Sequence, residues 1–262
     1  TDLYILLIFK KIMLDIKIIK EKFFFNKRSP FKYIYFFFNK IISIFSFKKS
    51  FSQGSMDLIL EHIFKDKNDG FYLDVGCQHP IKNNNTYLLY KRGWSGVNID
   101  LDSVNIDLFD FFRPNDKNIN LGVSDKIENA KLFFYHQKSP INTLDEKVSL
   151  KQKAKIEKKI NIQTNTLENI LDNYSINKID LLTIDVEGFE LKALKGLNFD
   201  KYKPSVIIVE FLDLEAIKWE IPYNNLDNVL KSEIYNFLIN KNYKLVNWVN
   251  GDLVFINNDF KD

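Results

Sequence analysis

Three acids stand at the ends of two apolar runs in the second half of the chain. Asp185 follows Ile179–Ile184, Glu187 stands two residues on in Asp185-Val186-Glu187-Gly188, and Glu210 follows Val206–Val209. In an open α/β sheet, ligands bind beyond the carboxyl ends of the strands. If these two strands pair, Asp185 and Glu210 are neighbours. Two chemistries are then open. One carboxylate whose pKa is raised by its surroundings can take a proton from a hydroxyl as a general base. Alternatively, Asp185 and Glu210 can hold Mg²⁺, which acidifies the hydroxyl instead. His79, on a loop in the first half, is a third candidate base, although a loop histidine before Pro80 can equally shape the turn. Glu190 needs no catalytic role, since an acid in a first helical turn suits the helix dipole.

The first half offers a ligand-binding counterpart. Phe71–Val75 is a short apolar run that closes in Asp74-Val75-Gly76. Gly76 lets the backbone turn tightly, and the amides exposed there can hold a ligand carboxylate. Asp74 can accept from a ligand ammonium group, directly or through water. Asp100 ends the next run, Val97–Ile99, 24 residues after Gly76. That spacing suits an acid that takes both hydroxyls of a ribose. Cys77, Gln78 and His79 follow Gly76, so the G-x-G-x-x-G pattern of dinucleotide enzymes is absent. Cys77 reads as a small packing residue.

These residues need a sheet to position them. Helices are expected over Met56–Phe64, from the capping residues Asn83–Thr86 to Arg92, over Ser149–Ile160, over Leu167–Tyr174, from Phe189 to Lys195 and over Ile234–Lys241. Asn118–Val123 and Leu132–Tyr135 are further strand candidates. Lys244–Val249 and Leu253–Ile256 flank Asn250-Gly251, a strong hairpin signal. Strands alternating with helices predict a doubly wound, mostly parallel Rossmann-like sheet, closed by an antiparallel hairpin. Parallel strands followed by such a hairpin resemble the ending of class I methyltransferases.

Two domains are expected, a basic amphipathic helical extension over 1–51 and the α/β domain over 52–262. The extension carries eleven Lys/Arg against three Asp/Glu, a net of +8, which leaves −5 for the remainder of a chain of +3 overall. An acidic main domain excludes a nucleic-acid groove, which needs basic residues. The apolar peaks Tyr4–Phe9 and Tyr33–Phe38 fall far short of the ~20 residues of a spanning helix. The extension suits peripheral contact with an anionic membrane or packing on the main domain. One cysteine and three separated histidines exclude a disulfide framework and a multi-cysteine zinc site. A cytoplasmic location, peripheral at the membrane if the extension binds there, is the expectation.

The motifs together resemble the FkbM family of methyltransferases. They are Ser52-Gln53-Gly54 with Asp57, Gly70 to Gly76, Asn85-Thr86-Tyr87, Arg92 to Asp100, Arg113-Pro114 with Asp116, Gly122 to Asp125, Thr166-Leu167, Ile179 to Gly188, and the strand ending in Glu210. The resemblance spans about residues 52–257. It departs at Gly54-Ser55-Met56-Asp57, where Gly-Glu-Asp would follow Ser-Gln. It implies S-adenosylmethionine as cofactor and O-methylation of a sugar, a glycan or another small hydroxylated metabolite. By the match, Asp74 and Gly76 line the cofactor pocket, Asp100 binds the ribose, and Ser124 and Asp125 lie near the adenine. Asp185, Glu187 and Glu210 then face the acceptor.

Two rival readings come from other classes. Asp100-Leu101-Asp102 has the D-x-D form of a metal-dependent glycosyltransferase that uses a nucleotide-sugar. A non-catalytic Rossmann-like binding protein would keep the fold without turnover.

Overall fold

The apolar runs pair side by side around the first of them. The computed structural model describes residues 49–260, which apart from Lys49 belong to the compact unit Ser50–Asp262. The expected helices of the basic extension fall outside the described residues. Seven strands form the main sheet: β1 (Phe71–Val75), β2 (Ser95–Asp100), β3 (Lys117–Asn120), β7 (Leu181–Ile184), β8 (Val206–Glu210), β9 (Tyr243–Val249) and β10 (Asp252–Asn257). Their order is β3-β2-β1-β7-β8-β10-β9, parallel from β3 to β8, with β10 antiparallel to both its neighbours. This is the expected Rossmann-like sheet with its closing hairpin. The order reverses between β1 and β7, so the ligand crevice is expected beyond the ends of those two strands.

Side chains alternate along each strand and build a core on either face. Leu73, Val75, Leu182, Ile184, Ile207 and Val209 point one way, into a cluster with α5 (Leu167–Asn173), α6 (Glu190–Lys195), α7 (Leu226–Lys231) and α8 (Glu233–Asn240). Tyr72, Leu181, Val206 and Ile208 point the other way, against α1 (Met56–Ile63) and α2 (Tyr87–Lys91). Asp74 shares the face of Tyr72, which directs it toward α2.

Three expectations change. The Lys-rich stretch 149–160 is not one helix. The helix, α4, covers Glu146–Lys151, and Lys158–Asn165 is strand β6. Pairing with β5 (Asn129–Phe134) decides this. Ile160 and Ile162 face Leu132 and Ala130 across the ladder, and Lys158 and Lys159 lie over the rings of Phe134 and Phe133. The expected strand over Asn118–Val123 divides at Leu121. Its first part is β3, and Gly122–Val123 is β4, which leaves the main sheet to pair with β6. Ser103–Phe112 forms a helix, α3, that the apolar pattern did not signal; Asp102 caps it by accepting from the Val104 amide at 3.0 Å. Among the described residues, no helix is long and apolar enough to cross a membrane.

Candidate functional site

Gly76 and Asp185 bring the two halves of the site together. Gly76 follows β1 at φ +81, and its amide donates to the Ile99 carbonyl of β2 at 2.8 Å. The Asp185 amide donates to the Val75 carbonyl at 2.9 Å. Beyond these strand ends lies a cavity of about 310 Å³, at the lower end of the small-molecule range. Gly76, Asp100, Asp185, Glu187 and Glu210 line it, whereas Asp74, His79, Ser124 and Asp125 do not.

Asp100 ends β2 and accepts three hydrogen bonds, from the Gln78 amide at 2.8 Å, the Asp102 amide at 2.7 Å and Asn105 Nδ2 at 3.1 Å. A carboxylate has roughly four lone-pair sites, so about one is left for a ligand hydroxyl. Burial raises its pKa against these bonds. The two ends of the D-x-D triplet are therefore occupied by protein donors. Asp102 accepts from the Val104 amide, from Gln137 Nε2 at 2.7 Å and from the Lys138 amide.

The remaining expected residues serve the loops. Asp74 Oδ2 accepts from Asn84 Nδ2 at 3.1 Å and from Thr86 Oγ1 at 2.9 Å. Thr86, expected to cap α2, spends its hydroxyl here instead. Behind both stands Arg113, fully buried, which donates to Thr86 Oγ1, Asn84 Oδ1 and the Pro80 carbonyl. Burial lifts the Asp74 pKa to about 6, against the pull of Arg113 and the two hydrogen bonds. His79 Nδ1 accepts from the Ile81 and Lys82 amides at 3.1 Å each, which fixes the turn. Burial and the charges of Lys138, Lys82 and Arg113 hold its pKa down. Ser124 is buried and donates to the exposed Asp125 at 3.1 Å. Cys77 is buried and packs against Ile106 and Phe109.

The acids form the other end of the cavity. Ligand atoms of Asp185, Glu187 and Glu210 all lie within 4.8 Å of one another. Asp185 opens onto the cavity while protein packs around its other sides. Burial raises its pKa, opposed by a hydrogen bond with Glu210. Glu187 rises to about 8, from burial first and then from the charges of Asp185 and Glu190. Glu210 rises well above the usual range, from burial and the charges of Asp185, Glu187 and Glu190. Glu190 does more than suit a helix dipole. It is buried, accepts from the Val186 and Gly188 amides at 3.0 Å, and has a pKa of about 7, set first by burial.

Sequence reasoning missed several residues that line this cavity and one that pairs with its wall. Asp252 faces Glu210 across the β8–β10 ladder, and burial and the charge of Asp185 raise its pKa to about 7. Its place in a hairpin just after Asn250-Gly251 gave no sign of a site. Gln53 lines the cavity from a loop organised by Asp57, whose carboxylate accepts from Ser50, Ser52 and the Phe51 amide. Asn105 and Ser139 also line it. Asn105 Oδ1, Ser139 Oγ and Glu210 Oε2 are buried without a hydrogen-bond partner. Buried polar atoms are nearly always paired, so three unpaired ones around a single cavity fit a polar ligand. The acid beside the second strand, the glycine turn and these unpaired atoms suit S-adenosylmethionine.

Sheet order, cavity and strand-end acids define a class I methyltransferase that takes its methyl group from S-adenosylmethionine. The Methyltransferase FkbM domain model matches residues 74–245, and the chain belongs to that family. A TehB-like S-adenosylmethionine-dependent methyltransferase from Corynebacterium glutamicum is similar in structure, at 14% identity and a TM-score of 0.37, over 85% of this chain and 96% of that one. No curated protein matches the chain.

Proposed function

We propose that the chain methylates an oxygen, the hydroxyl of a sugar, a glycan or another small hydroxylated metabolite. The carrying observation is the carboxyl group of Asp185, Glu187 and Glu210 on the wall of the cavity. Bound S-adenosylmethionine supplies an activated methyl group on a sulfonium. The protein must align the acceptor oxygen and remove its proton. Glu187, with a pKa of about 8, suits that transfer: the proton passes from the acceptor hydroxyl to its ionised carboxylate. In this reading Asp100 binds a ribose hydroxyl and the close backbone approach at Gly76 leaves room for the cofactor; the Gly76, Cys77 and Gln78 amides, expected to hold its carboxylate, donate instead to the Ile99 carbonyl and to Asp100.

A second reading gives the same three acids a Mg²⁺ ion. Glu210 Oε2, buried without a partner beside the other two, favours it. The ion would acidify the acceptor hydroxyl. The basic segment 1–51 would bring the protein to an anionic membrane surface, and nucleic acid has no part in this reading.

Calorimetric titration with S-adenosylmethionine and S-adenosylhomocysteine comes first, on wild type and Asp100→Ala. Micromolar binding, weakened roughly tenfold or more in the variant, is expected for a lost charge-assisted hydrogen bond. Radiolabelled methyl transfer to methyl glycosides, with and without Mg²⁺, then tests the acceptor class. Absence of cofactor binding by folded protein overturns the proposal. Binding without transfer to any glycoside overturns the sugar acceptor alone. Unchanged liposome binding after deletion of 1–51 removes the membrane role.

A further inference from the structure

The resemblance gave the nucleoside end of the cofactor to Ser124 and Asp125, which stand outside the cavity wall. Two other residues occupy that end. Asn105 sits on α3, and its Nδ2 donates to Asp100, the acid that ends β2. Its Oδ1 is buried and unpaired. Ser139 belongs to the segment that joins β5 to α4, is 6% exposed, and has an unpaired hydroxyl. Both line the cavity.

Asp102 places them together. One carboxylate caps α3 at the Val104 amide and also holds Gln137 Nε2 and the Lys138 amide. It therefore fixes the start of the helix that carries Asn105 and the residue next to Ser139. The far end of the same segment is tied to the acids, because Thr143 Oγ1 donates to the Glu187 carbonyl. The segment spans the cavity from the Asp100 end to the Glu187 end.

We propose that Asn105 and Ser139 bind the ribose hydroxyls of the cofactor, with Asp102 as the positioning residue that holds Ser139 over them. This rests on the cofactor reading above. Asp100 has about one lone-pair site to spare, and a ribose offers two hydroxyls. The Asn105 carbonyl oxygen is the second acceptor. The Ser139 hydroxyl donates to a ribose oxygen or accepts from one. An unpaired buried hydroxyl costs the folded state its desolvation, and a ligand that pairs with it offsets that cost.

The test is calorimetric titration with S-adenosylhomocysteine and with 5′-methylthioadenosine, which keeps the nucleoside and lacks the amino-acid group. Wild type, Ser139→Ala and Asn105→Ala are compared, each with its thermal midpoint. Ser139→Ala is expected to weaken both ligands by about fivefold or more, while its midpoint stays level or rises, since no protein partner is lost. Asn105→Ala should weaken both ligands likewise. Asp102→Asn is expected to quicken release of S-adenosylhomocysteine in stopped flow, because the segment that carries Ser139 loses a charged anchor. Wild-type affinity in Ser139→Ala and Asn105→Ala, or a loss confined to S-adenosylhomocysteine, overturns the inference. Failure of wild type to bind either ligand overturns the cofactor reading itself.

Discussion

Gly76 touches Asp185 through the backbone: a Cβ built at position 76 would lie 1.6 Å from the Asp185 carbonyl oxygen. The turn after β1 and the acid that ends β7 are thus in direct contact across the β1–β7 switch point, and in the proposed reaction they stand on the cofactor and acceptor sides. No side chain fits between them. A transfer reaction needs its two reactants held within reach, and this contact sets that distance in the backbone rather than in flexible side chains.

Gly76→Ala is therefore expected to be costly. The methyl group meets backbone, which cannot rotate away, and φ +81 disfavours any side chain. A loss of more than about 2 kcal/mol is expected. Thermal unfolding would show it as a drop of roughly 5 °C or more, and S-adenosylhomocysteine affinity should fall with it.

The acid cluster predicts a pH dependence of stability. Glu187 titrates at about 8 in the folded protein against an ordinary 4.5. A raised pKa means that the folded state binds more protons than the unfolded state between those values. Stability from this group is then full below about pH 4.5 and is lost as pH rises through about 8. The thermal midpoint should fall between pH 5 and pH 8.5, and Glu187→Gln should flatten that slope. An identical slope in the variant would place the titration elsewhere.

Much of the fold was legible because strands buried on both faces announce themselves as apolar runs, as in Leu181–Ile184 and Val206–Glu210. The hairpin was legible through Asn250-Gly251. The stretch 149–160 was not, because long lysine side chains suit a helix surface and an exposed strand alike. Only the facing residues of β5 separate the two, and those come from elsewhere in the chain. Strand ends located Asp100, Asp185 and Glu210 in the cavity by topology. Direction along a strand was harder. Asp74 turns to the face of Tyr72 and is consumed by Asn84 and Thr86, which no spacing from Gly76 reveals. Asn105, Ser139 and Asp252 were invisible because their roles depend on contacts between distant segments.

Arg113 should be among the least replaceable residues outside the cavity. Its guanidinium is fully buried, donates to three oxygens and packs among the rings of Tyr72, Tyr87, Tyr90 and Phe109. Arg113→Ala leaves Asp74 buried behind two unsupported donors, and a loss of about 3–5 kcal/mol is expected. Arg113→Lys should recover little, since an ammonium cannot match the planar fork. Chemical denaturation of both variants checks this; a lysine variant as stable as wild type would show that charge alone suffices.

Asp252→Asn should instead stabilise the protein. Asp252 sits opposite Glu210 on the antiparallel ladder, and its buried carboxyl meets the charge of Asp185. Its folded pKa of about 7, raised by burial and by Asp185, compares with an ordinary 3.8. Above about pH 7 the folded state must therefore hold a buried carboxylate that the unfolded state solvates freely. Asparagine keeps the shape and removes the charge. The gain should be largest above about pH 7, shrink as pH falls, and vanish near pH 4, where the acid is neutral in both states. At pH 8, about 1 kcal/mol or more is expected, a rise of roughly 2–4 °C in thermal midpoint. Mg²⁺ provides the contrast. If the cluster binds the ion, added Mg²⁺ should stabilise wild type at pH 8 by compensating the same charge, and the advantage of the variant should narrow. An advantage that is indifferent to Mg²⁺ would leave proton transfer to a carboxylate as the chemistry of these acids.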